Sequence, residues 1–172
     1  MNAPQTIRRA TIDDAADLAR LSGTTFTETF GHLYPPEDLA EYVDCVCSAD
    51  ACRKLIEDPT AGVWLAGPEG GAPVGFVVAA NCKLPVENLE PAAGEIRQLY
   101  VLANHQNERL GSRLLDVALG WLGEQKRAPL YIGVWSENTG AQRFYGRYGF
   151  VKVGEYGFPV GNTVDHEFIL KR

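Results

Sequence analysis

The sequence is poor in residues that bind metal ions. It contains three histidines and four cysteines among 172 residues, and the histidines are scattered along the chain. Cys45, Cys47 and Cys52 crowd into one region, yet they lack the two close pairs or neighbouring histidines of a zinc site. We therefore expect reduced, partly buried thiols and no metal.

Long apolar runs and excess positive charge are also lacking. No stretch approaches the ~18 apolar residues of a membrane-spanning helix, and residues 1–9 lack the apolar core of a secretory signal. Lys and Arg total 16 against 22 for Asp and Glu, a net charge of -6 that repels a phosphate backbone. We expect a cytoplasmic protein with neither a membrane nor a nucleic acid as partner.

What the sequence contains is an ordinary globular balance, with 45% hydrophobic and 22% charged residues. This balance excludes disorder, and the length fits one domain over residues 1–172. The hydrophobic periodicity predicts helices over residues 12–21, 24–30, 36–46, 49–58, 110–122 and 139–148. It predicts strands over residues 6–9, 63–66, 74–82, 95–102, 130–135, 150–155 and 163–170. This order predicts an α/β or α+β fold around one mixed sheet.

Residues 95–116 join a predicted strand, a short polar loop and a helix that begins at Leu110-Gly111-Ser112. The first N–H groups of such a helix have no partner within it and lie at the positive end of its dipole, so they suit a phosphate. Many strand–helix junctions bind nothing, and this segment alone is a weak indication.

Residues 135–150 join a second strand and helix to the turn Tyr148-Gly149-Phe150. Gly149 is a natural helix end. Taken alone, this segment requires no binding role, because Phe144 is explained as a core residue and Tyr145 as a residue of an amphipathic helix.

Together the two segments resemble the GNAT superfamily of acyltransferases. Its first signature, Gln/Arg-x-x-Gly-x-Gly/Ala, corresponds to Gln106-x-x-Arg109-x-Gly111. Its second, Asn-x-x-Ala-x-x-Phe-Tyr-x-x-x-Gly-Phe, is matched in full by Asn138, Ala141, Phe144, Tyr145, Gly149 and Phe150. With the order of the other elements, the resemblance covers nearly the whole chain. It implies a GNAT fold, a mixed and mostly antiparallel sheet of about six to seven strands flanked by helices.

The resemblance implies direct transfer of an acetyl group from acetyl-CoA to an amine, with CoA as product and no covalent enzyme intermediate. It assigns the pantetheine arm and the thioester carbonyl to backbone groups of Leu99, Tyr100 and Val101. It assigns the pyrophosphate and the rest of CoA to Gln106, Arg109, Leu110, Gly111, Ser112, Arg113, Asn138, Ala141, Phe144 and Tyr145.

Two catalytic roles follow from the resemblance. Tyr145 would be the general acid toward sulfur, and Glu95 would be the general base, through a water. Glu95 is equally explained as a solvated carboxylate at a strand end. Arg109 departs from the family, because it replaces the first glycine of the pyrophosphate loop. It could obstruct the phosphates, contact one of them through its guanidinium, or point into solvent.

The early helices resemble those of the PaiA-like bacterial spermidine/spermine N-acetyltransferases, over residues 25–30 and 36–42. Because these helices flank the acceptor cleft in the family, the resemblance implies acceptor contacts from Phe26, Glu28, Phe30, Tyr34, Glu41 and Tyr42. Glu37 and Asp38 belong to the same acidic set. Individually, the acids are also explained as a solvated helix face and the aromatics as core.

We therefore expect an N-acetyltransferase whose acceptor is a polyamine or another small cationic amine. A protein N-terminus, an amino acid or an aminoglycoside remains an alternative acceptor, since fold does not fix function. A catalytically weak acyl-CoA-sensing module and a plain structural domain are the alternatives outside this enzyme class. The sequence leaves a homodimer open.

Overall fold

A computed structural model describes residues 4–172 of the chain. The strands are β1 (Gln5–Arg9), β2 (Ala61–Pro68), β3 (Gly75–Asn81), β4 (Gly94–Val101), β5 (Leu130–Trp135), β6 (Val151–Val160) and β7 (Thr163–Lys171). The helices are α1 (Ala15–Phe30), α2 (Pro36–Val46), α3 (Ala49–Glu57), α4 (Leu110–Glu124) and α5 (Thr139–Gly146). Short 3₁₀ turns lie at Ile12–Asp14, Gly31–Leu33 and Ala103–His105.

All seven strands form one sheet in the order β1-β2-β3-β4-β5-β7-β6. Neighbouring strands are antiparallel, except that β4 and β5 are parallel. The predicted fold, a mixed and mostly antiparallel sheet flanked by helices, is confirmed. The parallel pair requires a crossover, which α4 supplies.

Two predicted boundaries were wrong. The helices predicted over residues 12–21 and 24–30 form one helix, α1, which begins after the 3₁₀ turn at Ile12–Asp14 and continues through Gly23. A side chain at Gly23 would meet Val43 of α2, so this glycine permits close packing of α1 and α2. Strand β6 continues to Val160 instead of ending at Glu155, since it pairs with β7 over its whole length.

The helices cover both faces of the sheet. On one face α4 buries an apolar stripe, with Leu114, Leu115 and Leu122 fully enclosed. On the opposite face Leu18 and Leu21 of α1 pack in a second core cluster, which β2 and β3 complete. Both clusters follow from apolar residues at helical spacing against strands that are buried on both faces.

Strand β4 is irregular at its centre, and it pairs with β5 over only the first part of its length. Its register with β3 shifts between Val78 and Ala79, which marks a β-bulge. Its register with β5 runs only from Gly94–Leu130 to Ile96–Ile132. Within the described chain, backbone groups of residues 97–101 on the β5 side therefore have no strand partner, and a cleft opens between β4 and β5.

No helix among residues 4–172 is both long and apolar enough to cross a membrane. The cysteines are free thiols, with Cys47 and Cys52 buried and Cys45 exposed. Cys45 and Cys52 lie in different helices, α2 and α3, and so do not share one helix face.

A bidentate ion pair joins β1 to the 3₁₀ turn that precedes α1. The Arg8 guanidinium donates two hydrogen bonds of 2.7 Å to the Asp14 carboxylate, which also accepts one from the Thr11 backbone N–H at 2.8 Å. These contacts hold β1 against the beginning of α1. The hydrogen bonds from Arg8 lower the pKa of Asp14 to about 2.

We expect Asp14→Asn to lower the free energy of unfolding by about 1–2 kcal/mol at pH 7. Because the folded-state pKa lies below the unfolded value, the ionised carboxylate stabilises the fold above pH ~4, and this contribution disappears as the pH falls to about 2. Urea denaturation of both proteins across pH 2–7 measures the difference. Asp17→Asn is the matched control, since the Asp17–Arg20 pair is exposed and is worth at most ~0.5 kcal/mol. A loss at pH 7 no larger than that of the control would contradict the prediction.

Candidate active site

The cleft beside β4 contains two cavities that share one wall. One, the α4 groove, has a volume of about 620 Å³ and lies beside the start of α4. The other, the aromatic cavity, has a volume of about 220 Å³ and lies under α1 and α2. Leu99, Ala141 and Tyr145 line both cavities. A molecule in the groove and a second molecule in the cavity would therefore meet at Tyr145.

The α4 groove contains most residues predicted to bind acetyl-CoA. Its predicted lining residues are Leu99, Val101, Gln106, Arg109, Leu110, Gly111, Ser112, Ala141, Phe144 and Tyr145. Four further lining residues were not predicted: His105, Asn107, Gly140 and Arg147. Arg147 also lies over the Phe144 ring, 5.5 Å from its centroid, and so places a second cation along the groove.

The loop before α4 turns through two left-handed residues. Asn107 has φ 70° and Arg109 has φ 59°. This conformation favours glycine, which explains why the family signature has glycine where this chain has Arg109. Gly111 has open space beside it, with only the Phe144 ring at 4.0 Å from the position of a Cβ. The turn exposes the first N–H groups of α4 to the groove, the arrangement that suits a pyrophosphate.

Three residues predicted to bind CoA lie differently. Arg113 does not line the groove, because its guanidinium donates to the backbone oxygen of Gln5 at 2.9 Å. Asn138 lines the aromatic cavity, and its side chain caps α5 by accepting from the Ala141 N–H at 3.1 Å. Tyr100 also lines the aromatic cavity and stacks on Phe76, with ring centroids 5.7 Å apart.

The aromatic cavity contains the predicted aromatic residues. Phe26 stacks between Tyr42 and Tyr34, with centroids 4.3 Å and 5.9 Å away. Phe30 meets Trp135 edge-on at 6.0 Å. Aromatic rings from α1, α2, β5 and the turn before α2 therefore line this space. Such a surface suits a methylene chain, and its ring faces attract a cation.

The predicted acidic residues of α1 and α2 lie outside the cavity. The exposed Glu28 carboxylate accepts from the Ala103 backbone N–H at 3.0 Å, which ties α1 to the loop before α4. Glu37 and Glu41 are exposed on α2. Asp38 is buried and accepts from the Thr163 hydroxyl at 3.3 Å. These acids have structural or solvated positions because the inner faces of both helices carry the aromatic rings.

Two other carboxylates, Asp165 and Glu167 of β7, line the cavity. Sequence reasoning missed them, although two acids two residues apart on a strand share one face. The Tyr34 hydroxyl donates a hydrogen bond to the Asp165 carboxylate. Glu167 is buried, and burial together with the charge of Asp165 raises its pKa to about 7. The cavity therefore has an anionic wall.

Glu95, the predicted base, does not line the cavity. It is buried on β4, where its carboxylate accepts from the Lys83 backbone N–H at 2.8 Å and lies 3.9 Å from Arg97 Nε. Burial raises the pKa of Glu95. Arg97 does line the cavity, and its guanidinium donates to the Asn81 backbone oxygen at 2.7 Å.

Tyr145 is buried on α5 where the two cavities meet. Phe144 and Phe150 pack against its ring, with centroids 5.2 Å and 6.2 Å away. Burial raises the pKa of its phenol above the ordinary value. The phenol is therefore protonated at neutral pH and can donate its proton to a group in either cavity.

Known proteins share this architecture. The sequence profile of the acetyltransferase (GNAT) family matches residues 16–150. An uncharacterized N-acetyltransferase of Lactobacillus delbrueckii subsp. lactis is 28% identical over 164 residues, which is 92% of this chain and 91% of that protein. The fold is similar to that of the PaiA N-acetyltransferase of Thermoplasma acidophilum in complex with coenzyme A (TM-score 0.79, 17% identity, 98% of each chain). It is also similar to that of the ribosomal-protein-S18-alanine N-acetyltransferase of Escherichia coli (TM-score 0.69, 15% identity, 98% of this chain and 92% of that one).

The left-handed backbone at Arg109 gives a testable contrast between two substitutions. Arg109→Gly removes the side chain and suits φ 59°, whereas Arg109→Ala removes the side chain and keeps the backbone cost. We expect the glycine variant to be the more stable by about 1 kcal/mol in urea denaturation. Equal stability would contradict the account of this position. Titration calorimetry measures the affinity of both variants for CoA. A loss of affinity that both variants share is the contribution of the Arg109 guanidinium to CoA binding.

Proposed function

This chain belongs to the acetyltransferase (GNAT) family, and from that premise we propose that it acetylates a small cationic amine, with a polyamine as the favoured acceptor. It is a GNAT-type N-acetyltransferase that uses acetyl-CoA. The observation that carries the choice of acceptor is the aromatic cavity, whose anionic wall and stacked rings meet the acetyl-CoA groove at Tyr145.

The donor side of the proposal rests on three features of the groove. The unpartnered N–H groups at the start of α4 would bind the pyrophosphate, with Arg109 and Arg147 supplying positive charge nearby. Backbone groups of residues 97–101 have no strand partner on the β5 side because β4 leaves β5. Those not already bonded, as the Val101 oxygen is to the Gln106 side chain at 3.1 Å, would bind the pantetheine arm as an added strand binds a sheet edge. When bound, acetyl-CoA supplies the activated acyl group.

The proposed acceptor follows from the charge and the shape of the aromatic cavity. Asp165 and Glu167 attract an ammonium group, and the stacked rings of Phe26, Tyr34 and Tyr42 suit an alkyl chain that carries one. The net charge of -6 favours approach of a cation over distance.

Tyr145 is the proposed general acid. Its phenol lies on the wall that both cavities share, where the sulfur of the leaving thiol would be. A raised pKa keeps the phenol protonated, so that it can transfer a proton to the developing thiolate. Asn138 would support this role indirectly, since it caps the helix that carries Tyr145.

We expect thiol release from acetyl-CoA in the presence of spermidine or spermine, and much less with amino acids, peptides with a free N-terminus or aminoglycosides. Turnover confined to one of those other classes would replace the polyamine as acceptor and keep the enzyme class. Tight CoA binding without turnover on any amine would favour an acyl-CoA-sensing module.

We expect Tyr145→Phe to lower kcat by at least about 100-fold, with the affinity for CoA preserved, because only the proton donor is lost. Tyr148→Phe is the matched control. Tyr148 is three residues further along and lines neither cavity, its hydroxyl lying 3.5 Å from the Ser112 backbone oxygen. An undiminished kcat in Tyr145→Phe would remove Tyr145 from the role.

A further inference from the structure

We infer that Glu167 of β7 is the base that takes the proton from the ammonium group of the acceptor. The inference rests on the proposed function and names a catalytic residue for it that the sequence resemblance did not suggest. It replaces Glu95, whose carboxylate is held by the Lys83 backbone N–H outside the cavity.

The sheet register directs Glu167 into the acceptor space. Glu167 lies opposite Trp135 of β5 on one side and opposite Tyr156 of β6 on the other. All three residues line the aromatic cavity, and so does Tyr145. The acid and the base of the reaction would therefore lie on one cavity, with the acceptor between them.

The carboxylate of Glu167 is free to bind a ligand. It is 9% exposed, and within residues 4–172 it has neither a hydrogen bond nor an ion pair. Asp165, by contrast, accepts a hydrogen bond from the Tyr34 hydroxyl. Because Glu167 lines the aromatic cavity and has no protein partner, its carboxylate is available to an ammonium group bound there.

The groups that face Glu167 come from every element around it. Tyr34, Tyr42, Tyr100 and Tyr156 contribute phenols, and Asp165 on the same strand contributes a negative charge. Among the described residues 4–172, the one cationic side chain that lines the cavity is Arg97, which lies 3.9 Å from the Glu95 carboxylate. Burial and Asp165 raise the pKa of Glu167 to about 7, which is suited to a base that works near neutral pH.

The proton and electron balance is complete with these two residues. Glu167 takes one proton from the ammonium group, and the nitrogen lone pair forms the new C–N bond at the acyl carbon. The C–S bond breaks, and its electron pair leaves on sulfur. Tyr145 gives its proton to that sulfur and then takes the second proton from the nitrogen. Glu167 returns its proton to water, so the products are an amide, CoA as the free thiol and one proton.

The test is the pH dependence of kcat/KM for the best polyamine in wild type and in Glu167→Gln. Wild-type kcat/KM should rise with pH through about 7, as Glu167 ionises. Glu167→Gln should lose at least about 100-fold in kcat and should no longer show this ionisation. Glu167→Asp, which keeps a carboxylate, should retain the ionisation at a reduced rate, and thereby excludes a fault of folding as the cause.

Two comparison variants make the outcome specific. Glu155→Gln alters an exposed glutamate of the same β6–β7 hairpin and should leave the profile unchanged. Glu95→Gln should keep the ionisation near pH 7. An unchanged profile in Glu167→Gln, or loss of the ionisation in Glu95→Gln alone, would overturn the assignment and leave the proposed function intact. Absence of acetyl transfer to any amine by the wild type, with CoA bound, would overturn both.

Discussion

The divergence of β4 from β5 is the constraint on which the rest of the site depends. The two strands pair only as far as Ile96–Ile132, and a bulge on the β3 side marks where β4 changes course. A parallel pair that separates in this way leaves backbone donors and acceptors without strand partners in the middle of a sheet. Such groups are costly unless a ligand or water satisfies them, which supports the proposal that CoA binds at this edge of β4.

The charged, polar and aromatic groups of the α4 groove and of the aromatic cavity lie on the two sides of that opening. The α4 side offers helix N–H groups and the cations Arg109 and Arg147, which suit phosphates. The opposite side offers the carboxylates of β7 beneath aromatic rings, which suit an ammonium group. Tyr145, buried on the shared wall, is accessible from both. In the proposed reaction, acetyl-CoA and a cationic amine would bind on opposite sides of this opening and would meet at Tyr145.

Much of this architecture was predictable from the sequence, and the parts that were not have physical reasons. Apolar spacing predicted all seven strands, and the two signature segments predicted most of the α4 groove. The same reasoning failed at Gly23, since only tertiary packing shows that a helix continues through a glycine. It missed the carboxylates Asp165 and Glu167, because their strand joins the cavity only through long-range pairing with β5 and β6. Local patterns indicate elements, whereas a pocket is made by the register between distant strands.

Amide hydrogen exchange with and without CoA tests the central claim most directly. We predict that CoA slows exchange at the amides of residues 97–101 that face β5 and at the first amides of α4, residues 110–112. Amides within the β2–β3 pair, away from the opening, such as those of Trp64 and Val77, should not change. CoA binding that protects other segments and leaves residues 97–101 unaffected would contradict the claim that the opening between β4 and β5 is the binding edge.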